Sequence, residues 1–91
     1  MTAPDLPEAL LNRVVVLDVT SPYLYLGTLV GSDHRYLILE DADVHDLRDS
    51  RTSREHYVLQ SREHGIRTNR KTVYVSRTEI VSLSALDDVV E

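Results

Sequence analysis

The chain has 91 residues, no cysteine and a formal net charge of −5. A chain this short forms one domain with a small core, which oligomerisation would stabilise. The lack of cysteine excludes a disulfide framework and a thiolate metal site, and no apolar run approaches the roughly 20 residues of a membrane-spanning helix. The first residues lack the basic start and the apolar stretch of a secretory signal. We therefore expect a single cytoplasmic domain over residues 1–91.

The first predicted element is a short helix over residues 5–12. Asp5 and Glu8 are spaced as in a helix start, and three leucines of the segment share one helical face. The β-branched run "RVVVLDV" follows directly and predicts a buried strand over 13–19.

A hairpin is predicted next, from "YLYLGTLVGS" and "YLILED" on either side of the polar corner 32–35. The third strand is expected over residues 36–41. Gly27 lies inside the second strand, where a missing side chain indicates a bulge, a sharp bend or the close approach of another strand.

Residues 42–71 form an excursion in which the pattern is least regular. Thr52 and Glu55 have the spacing of a capping box, no helix breaker follows, and Gly65 is a stop signal. These signals predict a helix over 53–64, with a pair of extended strands as the alternative, because the apolar residues of the segment are adjacent rather than periodic.

Two short strands are predicted after the excursion, "TVYVS" over 72–76 and "EIVSLS" over 79–84, before an acidic tail over 85–91.

Charge is distributed unevenly along the chain. Residues 48–77 carry eight basic side chains against three acidic ones, within an acidic protein. Such a block is typical either of a surface that contacts a polyanion or of a solvated face with salt bridges to a neighbouring subunit.

The hairpin and the last two strands carry motifs that resemble those of the Sm-like proteins (LSm/Hfq superfamily). Gly27, Leu29 and Asp33 have the spacing of the first motif, and "VYVSRTEIVSL" at 73–83 lies where the second belongs. The resemblance implies a mainly β fold, an N-terminal α-helix followed by a strongly bent five-stranded antiparallel small β-barrel. It also makes residues 42–71 the variable region between strands three and four.

The resemblance is to an outlying, bacterial-type member. Family members of the archaeal and eukaryotic branch hold a nucleobase with an aspartate, an aromatic residue, an asparagine and an Arg-Gly pair. Asp33 is retained, whereas Arg35 occupies the aromatic position, Leu37 replaces the asparagine, and Ser76 with Arg77 stands where Arg-Gly would be. The corner is closer to the Hfq branch, but the second motif lacks that branch's Tyr-Lys-His run.

Four side chains are the candidate RNA-binding residues at the corner: Asp33, His34, Arg35 and Arg77. An arginine plane can stack on a base or contact a phosphate. In the alternative, Asp33 only caps the turn and Arg77 pairs with Glu79 or Asp87. A secondary basic surface is expected from six residues of the excursion: Arg51, Arg54, Arg62, Arg67, Arg70 and Lys71.

Two functions from different classes fit these features. The first is a non-enzymatic RNA-binding ring that contacts single-stranded RNA near its axis, and the second is a protein-interaction or scaffold ring that has lost nucleotide binding. In both, the resemblance implies a homo-oligomer of about six or seven subunits joined through the fourth and fifth strands. No cofactor or enzymatic activity is expected, because so small a barrel has little interior for a reactive pocket.

Two further patterns have alternatives. Asp41, Asp43 and His45 could share one side of an extended segment and hold a loose divalent metal, although a solvated strand end is favoured over a metal site. Four tyrosines on the strands are expected to pack in the core or an interface rather than to stack on bases: Tyr23, Tyr25, Tyr36 and Tyr74.

Overall fold

The structure, a computed structural model, describes residues 8–49 and 51–91. Its main elements are β1 (Val14–Val19), β2 (Tyr23–Ser32), β3 (Tyr36–Asp46), α1 (Arg54–His64), β4 (Arg70–Ser76) and β5 (Ile80–Ala85). The strands form one antiparallel sheet in the order β4-β3-β2-β1-β5. The predicted mainly β fold with five antiparallel strands is confirmed, and β4 and β5 are the outer strands.

The predicted N-terminal helix over 5–12 is wrong within the described part of the chain, and residues 5–7 lie outside it. A single 3-10 turn, Glu8–Leu10, is formed instead. The chain leaves this turn at Asn12, which has a φ of 63° and whose backbone N–H donates to the Leu29 carbonyl at 2.6 Å. That reversal directs the chain into β1.

The strands around the excursion are longer than predicted. β3 continues five residues beyond the expected end at position 41, and β4 begins at Arg70 rather than at position 72. The two strands pair as far as Ala42 with Arg70. β5 covers 80–85 instead of 79–84, since the 3-10 turn Arg77–Glu79 joins it to β4.

Gly27 lies at the predicted close approach, between β2 and β3. A Cβ atom at this position would lie 2.9 Å from the Cβ of Ala42. The pairing register of the two strands also shifts between Leu26 and Thr28 and again between Leu29 and Gly31. Such irregularities increase local bending, so this hairpin curves strongly.

The predicted helix over 53–64 is confirmed as α1, and the alternative strand pair is not formed. Its N-terminal cap is Ser53, whose hydroxyl accepts from the His56 N–H at 3.2 Å. It ends at Gly65, where φ is 92°. No helix in the described residues is long and apolar enough to span a membrane.

The sheet buries side chains on both faces. We name the two clusters by face. The inner core contains Val15, Leu17, Leu29, Leu37, Leu39, Ala42 and Val75. The outer core contains Val16, Leu24, Leu26, Val58 and Leu86. Because strand side chains alternate between faces, β1 contributes to both clusters. Val58 belongs to α1 and Leu86 to the acidic tail, so both segments pack on the outer face.

Candidate nucleic-acid interface

The corner between β2 and β3 is a turn held by Asp33. One carboxylate oxygen, Oδ1, accepts from the backbone N–H groups of Arg35 and Tyr36, each at 2.7 Å, and the Asp33 N–H donates to the Tyr36 carbonyl at 2.9 Å. These bonds to Arg35 and then to Tyr36 lower the pKa of Asp33, and the positive charge of Arg77 acts in the same direction. Asp33 therefore fixes the turn as a carboxylate.

Arg35 and Arg77 are brought together at this corner. The Arg77 N–H donates to the Arg35 carbonyl at 2.8 Å, which attaches the 3-10 turn after β4 to the β2–β3 turn. The Arg35 side chain is exposed, as is that of His34. Arg77 thus joins the three consecutive residues Asp33, His34 and Arg35 at one corner, although it lies more than forty positions later in the chain.

The side chain of Arg77 lacks the partners that were considered for it. No ion pair links it to Glu79 or Asp87 within the described residues. Glu79 instead accepts a hydrogen bond from the hydroxyl of Thr20. The Nε of Arg77 is buried and has no hydrogen-bond partner in the described part of the chain. The corner therefore holds two guanidinium groups that form no ion pair with any residue that the structure describes.

The tyrosines divide into two pairs. Tyr23 and Tyr25 are half-buried, and Tyr25 packs on the inner core. Tyr36 and Tyr74 are 38% and 58% exposed, and their ring centroids lie 6.0 Å apart at an angle of 79°. Tyr36 and Tyr74 belong to neither core cluster of the single chain, and β4 is an outer strand, so the packing of this pair in an interface stays a prediction.

Not all six residues of the predicted secondary basic surface are available to a ligand, because some are engaged within the chain. Arg54 forms an ion pair with Asp18 on β1, where Asp18 also accepts from the Ser82 hydroxyl at 2.6 Å. The other members of the set are exposed: Arg51, Arg62, Arg67, Arg70 and Lys71. Arg54 therefore attaches α1 to the sheet. Of the five exposed side chains, Arg70 also donates to the Asn69 carbonyl at 3.0 Å.

Arg48, another basic residue of the block, is also engaged. Its Nε and a terminal nitrogen donate to the carboxylate of Asp46 at 2.9 and 2.8 Å, and the guanidinium lies 5.8 Å from the centre of the Tyr23 ring. The side-chain hydrogen bonds from Arg48, followed by its backbone N–H, lower the pKa of Asp46 to about 2.

We expect Arg48→Ala to raise the pKa of Asp46 towards its ordinary value near 4. The folded-state pKa is depressed, so this contribution to stability is present above pH 4 and is lost as pH falls towards 2. An NMR titration of the Asp46 carboxyl carbon checks the shift, with Asp33 as an internal control. An unchanged Asp46 pKa in the variant would contradict the assignment of the shift to Arg48.

Asp43 and His45, near the end of β3, make contacts within the chain. Asp43 is 2% exposed and accepts from the hydroxyl of Tyr57 and from Asn69 Nδ2, the latter at 3.2 Å. The His45 ring stacks on Tyr57 with centroids 3.8 Å apart. Burial and then the bond to Asp43 raise the pKa of Tyr57. No group of three or more metal-binding side chains occurs among the described residues, Asp41 included.

Sequence reasoning missed this cluster, since Tyr57 and Asn69 reach Asp43 from 14 and 26 positions away. It also missed the exposed pair of Tyr36 and Tyr74. Their signal was the alternation of β3 and β4, which puts both on one face, but only the sheet order shows that the face is uncovered.

Comparison with known proteins supports the fold. No protein-family model and no curated protein matches the sequence. Among solved structures, an Sm protein of Pyrococcus abyssii in complex with a uridine heptamer is similar, with a TM-score of 0.57 and 14% identity over 85% of this chain and 87% of that chain. Together with the strand order and the bent β2–β3 hairpin, this similarity shows that the chain adopts the Sm-like fold.

Proposed function

We propose that the chain is a non-enzymatic, bacterial-type Sm-like protein that binds single-stranded RNA at the corner formed by Asp33, His34, Arg35 and Arg77. The observation that carries the proposal is the hydrogen bond from the Arg77 N–H to the Arg35 carbonyl, which holds two unpaired cationic side chains at one exposed turn. The similar Pyrococcus abyssii protein was solved with a uridine heptamer, which supports the ligand class.

Each residue has a distinct role in this proposal. Asp33 keeps the turn rigid through its two backbone hydrogen bonds. The exposed Arg35 stacks its planar guanidinium on a base or pairs with a phosphate, and Arg77 supplies the second cation. His34 stacks or donates beside them. The five exposed basic residues of the secondary surface contact the RNA backbone, so they do not distinguish one RNA sequence from another.

We further propose that copies of the chain assemble head to tail into a ring of about six or seven subunits, β4 of one pairing with β5 of the next. Both strands have one hydrogen-bonded neighbour within the described residues, so each offers an unpaired backbone edge. A ring repeats a weak corner site around one axis, and this multivalency raises the total affinity.

We expect Val81→Asp to weaken assembly, because Val81 on β5 is 69% exposed in the single chain and a carboxylate there opposes strand addition. Native mass spectrometry at tens of micromolar measures the change. Val90→Asp is the matched control, since Val90 is 81% exposed and lies outside the strands. A wild-type protein that is monomeric with its fold intact would contradict the ring.

The scaffold ring remains a second candidate, favoured by the bonds that Asp33 makes to its own turn. Those bonds account for the retained aspartate without any nucleotide. A scaffold ring would use the ordered excursion, with its exposed face of α1, to contact partner proteins.

The two functions are separated by fluorescence anisotropy of labelled oligo-U and oligo-A at low and at physiological salt. For RNA binding we expect Arg35→Ala and Arg77→Ala each to weaken affinity by about tenfold, as the loss of one stacked or phosphate-bound arginine does. Arg48→Ala is the matched control, because Arg48 belongs to neither proposed RNA surface and its guanidinium is held by Asp46, and we expect it to change affinity less than threefold. Absence of binding, or equal losses in all three variants, would exclude the corner as the site.

A further inference from the structure

A cavity of about 180 Å³ lies at the C-terminal end of α1. The last two turns of the helix and the segment after it form its walls, which include Tyr57, Gln60, Ser61, His64, Ile66 and Arg67. The helix ends at Gly65, and Ile66 then packs on the outer core. All described lining residues lie between positions 57 and 67, outside the strands. The cavity therefore does not include the strand edges that subunit assembly would pair.

One wall of the cavity is held in place without a ligand. The Tyr57 hydroxyl donates to the buried Asp43, and the Tyr57 ring stacks on His45 with the two planes 10° apart. The Ser61 hydroxyl donates to the Tyr57 carbonyl at 3.0 Å. His45 is not a lining residue, so the cavity contacts the tyrosine ring from a side that His45 leaves uncovered. A preformed aromatic wall lowers the entropy cost of binding a ligand.

The described lining residues include a cation and no carboxylate. Arg67 is exposed and forms no ion pair within the part of the chain that the structure describes. Burial and then the hydrogen bond to Asp43 raise the pKa of Tyr57, and the positive charge of Arg67 opposes this rise, so that charge acts on the tyrosine wall. His64 is also exposed, and its Nε2 lies 3.7 Å from Glu63, a solvated contact that contributes little. Arg67 is therefore available to an anionic group.

The size and the lining of the cavity define a class of ligand. An apolar protein cavity of about 150 Å³ holds one benzene molecule, so this cavity accommodates one six-membered ring but not the two fused rings of a purine. Tyr57 and Ile66 provide apolar contact for such a ring, and the Gln60 amide can both donate to and accept from its polar edge. The fork of an arginine binds a carboxylate or a phosphate through two hydrogen bonds.

We infer that this cavity binds a small molecule made of one six-membered aromatic ring and one anionic group, with the ring against Tyr57 and the anion at Arg67. A pyrimidine carboxylate and a pyrimidine nucleotide both have this chemistry. The site is formed by α1 and the segment after it, so it is distinct from the RNA-binding corner and does not depend on the proposed function.

Ligand-observed saturation-transfer NMR tests the inference on the wild-type protein. Orotate, a pyrimidine carboxylate, is expected to give a saturable signal on its ring proton, and UMP shows whether a phosphate serves in place of the carboxylate. Uracil has the ring without the anion, and AMP has two fused rings. We expect uracil to bind about tenfold more weakly than orotate, and AMP about tenfold more weakly than UMP.

Variants locate the ligand within the molecule. Arg67→Ala is expected to weaken orotate binding by about tenfold through loss of the ion pair, and Gln60→Ala by about threefold. Arg62→Ala is the matched control, because Arg62 is an exposed cation on the last turn of α1 that does not line this cavity, and we expect a change of less than about twofold. Arg35→Ala at the corner is expected to leave orotate binding unchanged.

Equal losses in Arg67→Ala and Arg62→Ala would indicate general attraction to a positive surface and would overturn the site. Binding of AMP as tight as that of UMP, or no binding of either orotate or UMP, would also overturn it without bearing on oligo-U binding at the corner. Loss of orotate binding in Arg35→Ala, with Arg67→Ala unaffected, would assign the ligand to the corner instead. Conversely, absence of oligo-U binding would overturn the proposed function and leave this site intact.

Discussion

Replacing Gly27 with alanine is expected to lower the free energy of unfolding by about 2 to 3 kcal/mol. A Cβ atom at this position would lie 2.9 Å from the Cβ of Ala42, 3.1 Å from its Cα and 3.3 Å from the Glu40 carbonyl oxygen. These neighbours are backbone or attached directly to it, so no flexible side chain can move aside. The added methyl group must separate β2 from β3 at the bend of the hairpin.

Gly31→Ala is the matched control for this prediction. It lies on the same strand, and its added Cβ would find only the Cδ1 of Ile38 at 3.9 Å, an ordinary contact. We expect its effect to stay within about 0.5 kcal/mol. Urea unfolding followed by circular dichroism measures both, at one protein concentration because assembly couples to stability. Equal losses in the two variants would contradict the close approach at Gly27.

Local signals in the sequence were sufficient for much of this fold. The β-branched run predicted β1. The interior glycine predicted a bulge, a sharp bend or the close approach of another strand, and the structure has Ala42 close to Gly27. The uninterrupted segment before Gly65 predicted α1. Each of these features depends on neighbours in sequence, for which propensity and capping rules are informative.

Features that depend on distant residues could not be predicted in this way. β3 continues past position 41, where β4 pairs with it as far as Arg70. The 3-10 turn Glu8–Leu10 is followed by the bond from the Asn12 N–H to the Leu29 carbonyl, a contact between residues distant in sequence. Asp43 is acidic and was assigned to a solvated strand end or a loose metal site. Only the fold supplies Tyr57 as its donor.

The candidate site was also predictable from the sequence only in part. The corner residues were named from the two motifs, but a sequence does not show that the Arg77 N–H reaches the Arg35 carbonyl across the sheet edge. The exposure of Tyr74 is a consequence of strand order, since an outer strand has no neighbour to cover its side chains. A tyrosine between apolar residues has the same local pattern whether it is packed or exposed.

Asp43→Ala is expected to lower the free energy of unfolding by about 3 kcal/mol. Asp43 is buried, and its two carboxylate oxygens accept from the Tyr57 hydroxyl and from Asn69 Nδ2. Alanine leaves the half-buried Tyr57 hydroxyl without its acceptor, which costs about 1 to 3 kcal/mol, whereas the exposed Asn69 keeps its bond to the Val44 carbonyl. Tyr57→Phe removes only one of the two bonds and keeps a ring stacked on His45, so we expect a loss of about 1 kcal/mol.

Asp43→Ala also tests whether RNA binding at the corner is independent of the attachment of α1. Asp43 lies seven residues along β3 from Tyr36, roughly 20 Å from the corner. Loosening α1 by Asp43→Ala should therefore lower the urea midpoint while leaving oligo-U affinity of the folded protein within about twofold of wild type. Unchanged stability would contradict the buried cluster as the attachment of α1. A tenfold loss of affinity at unchanged oligomer mass would instead show that RNA binding at the corner depends on the attachment of α1.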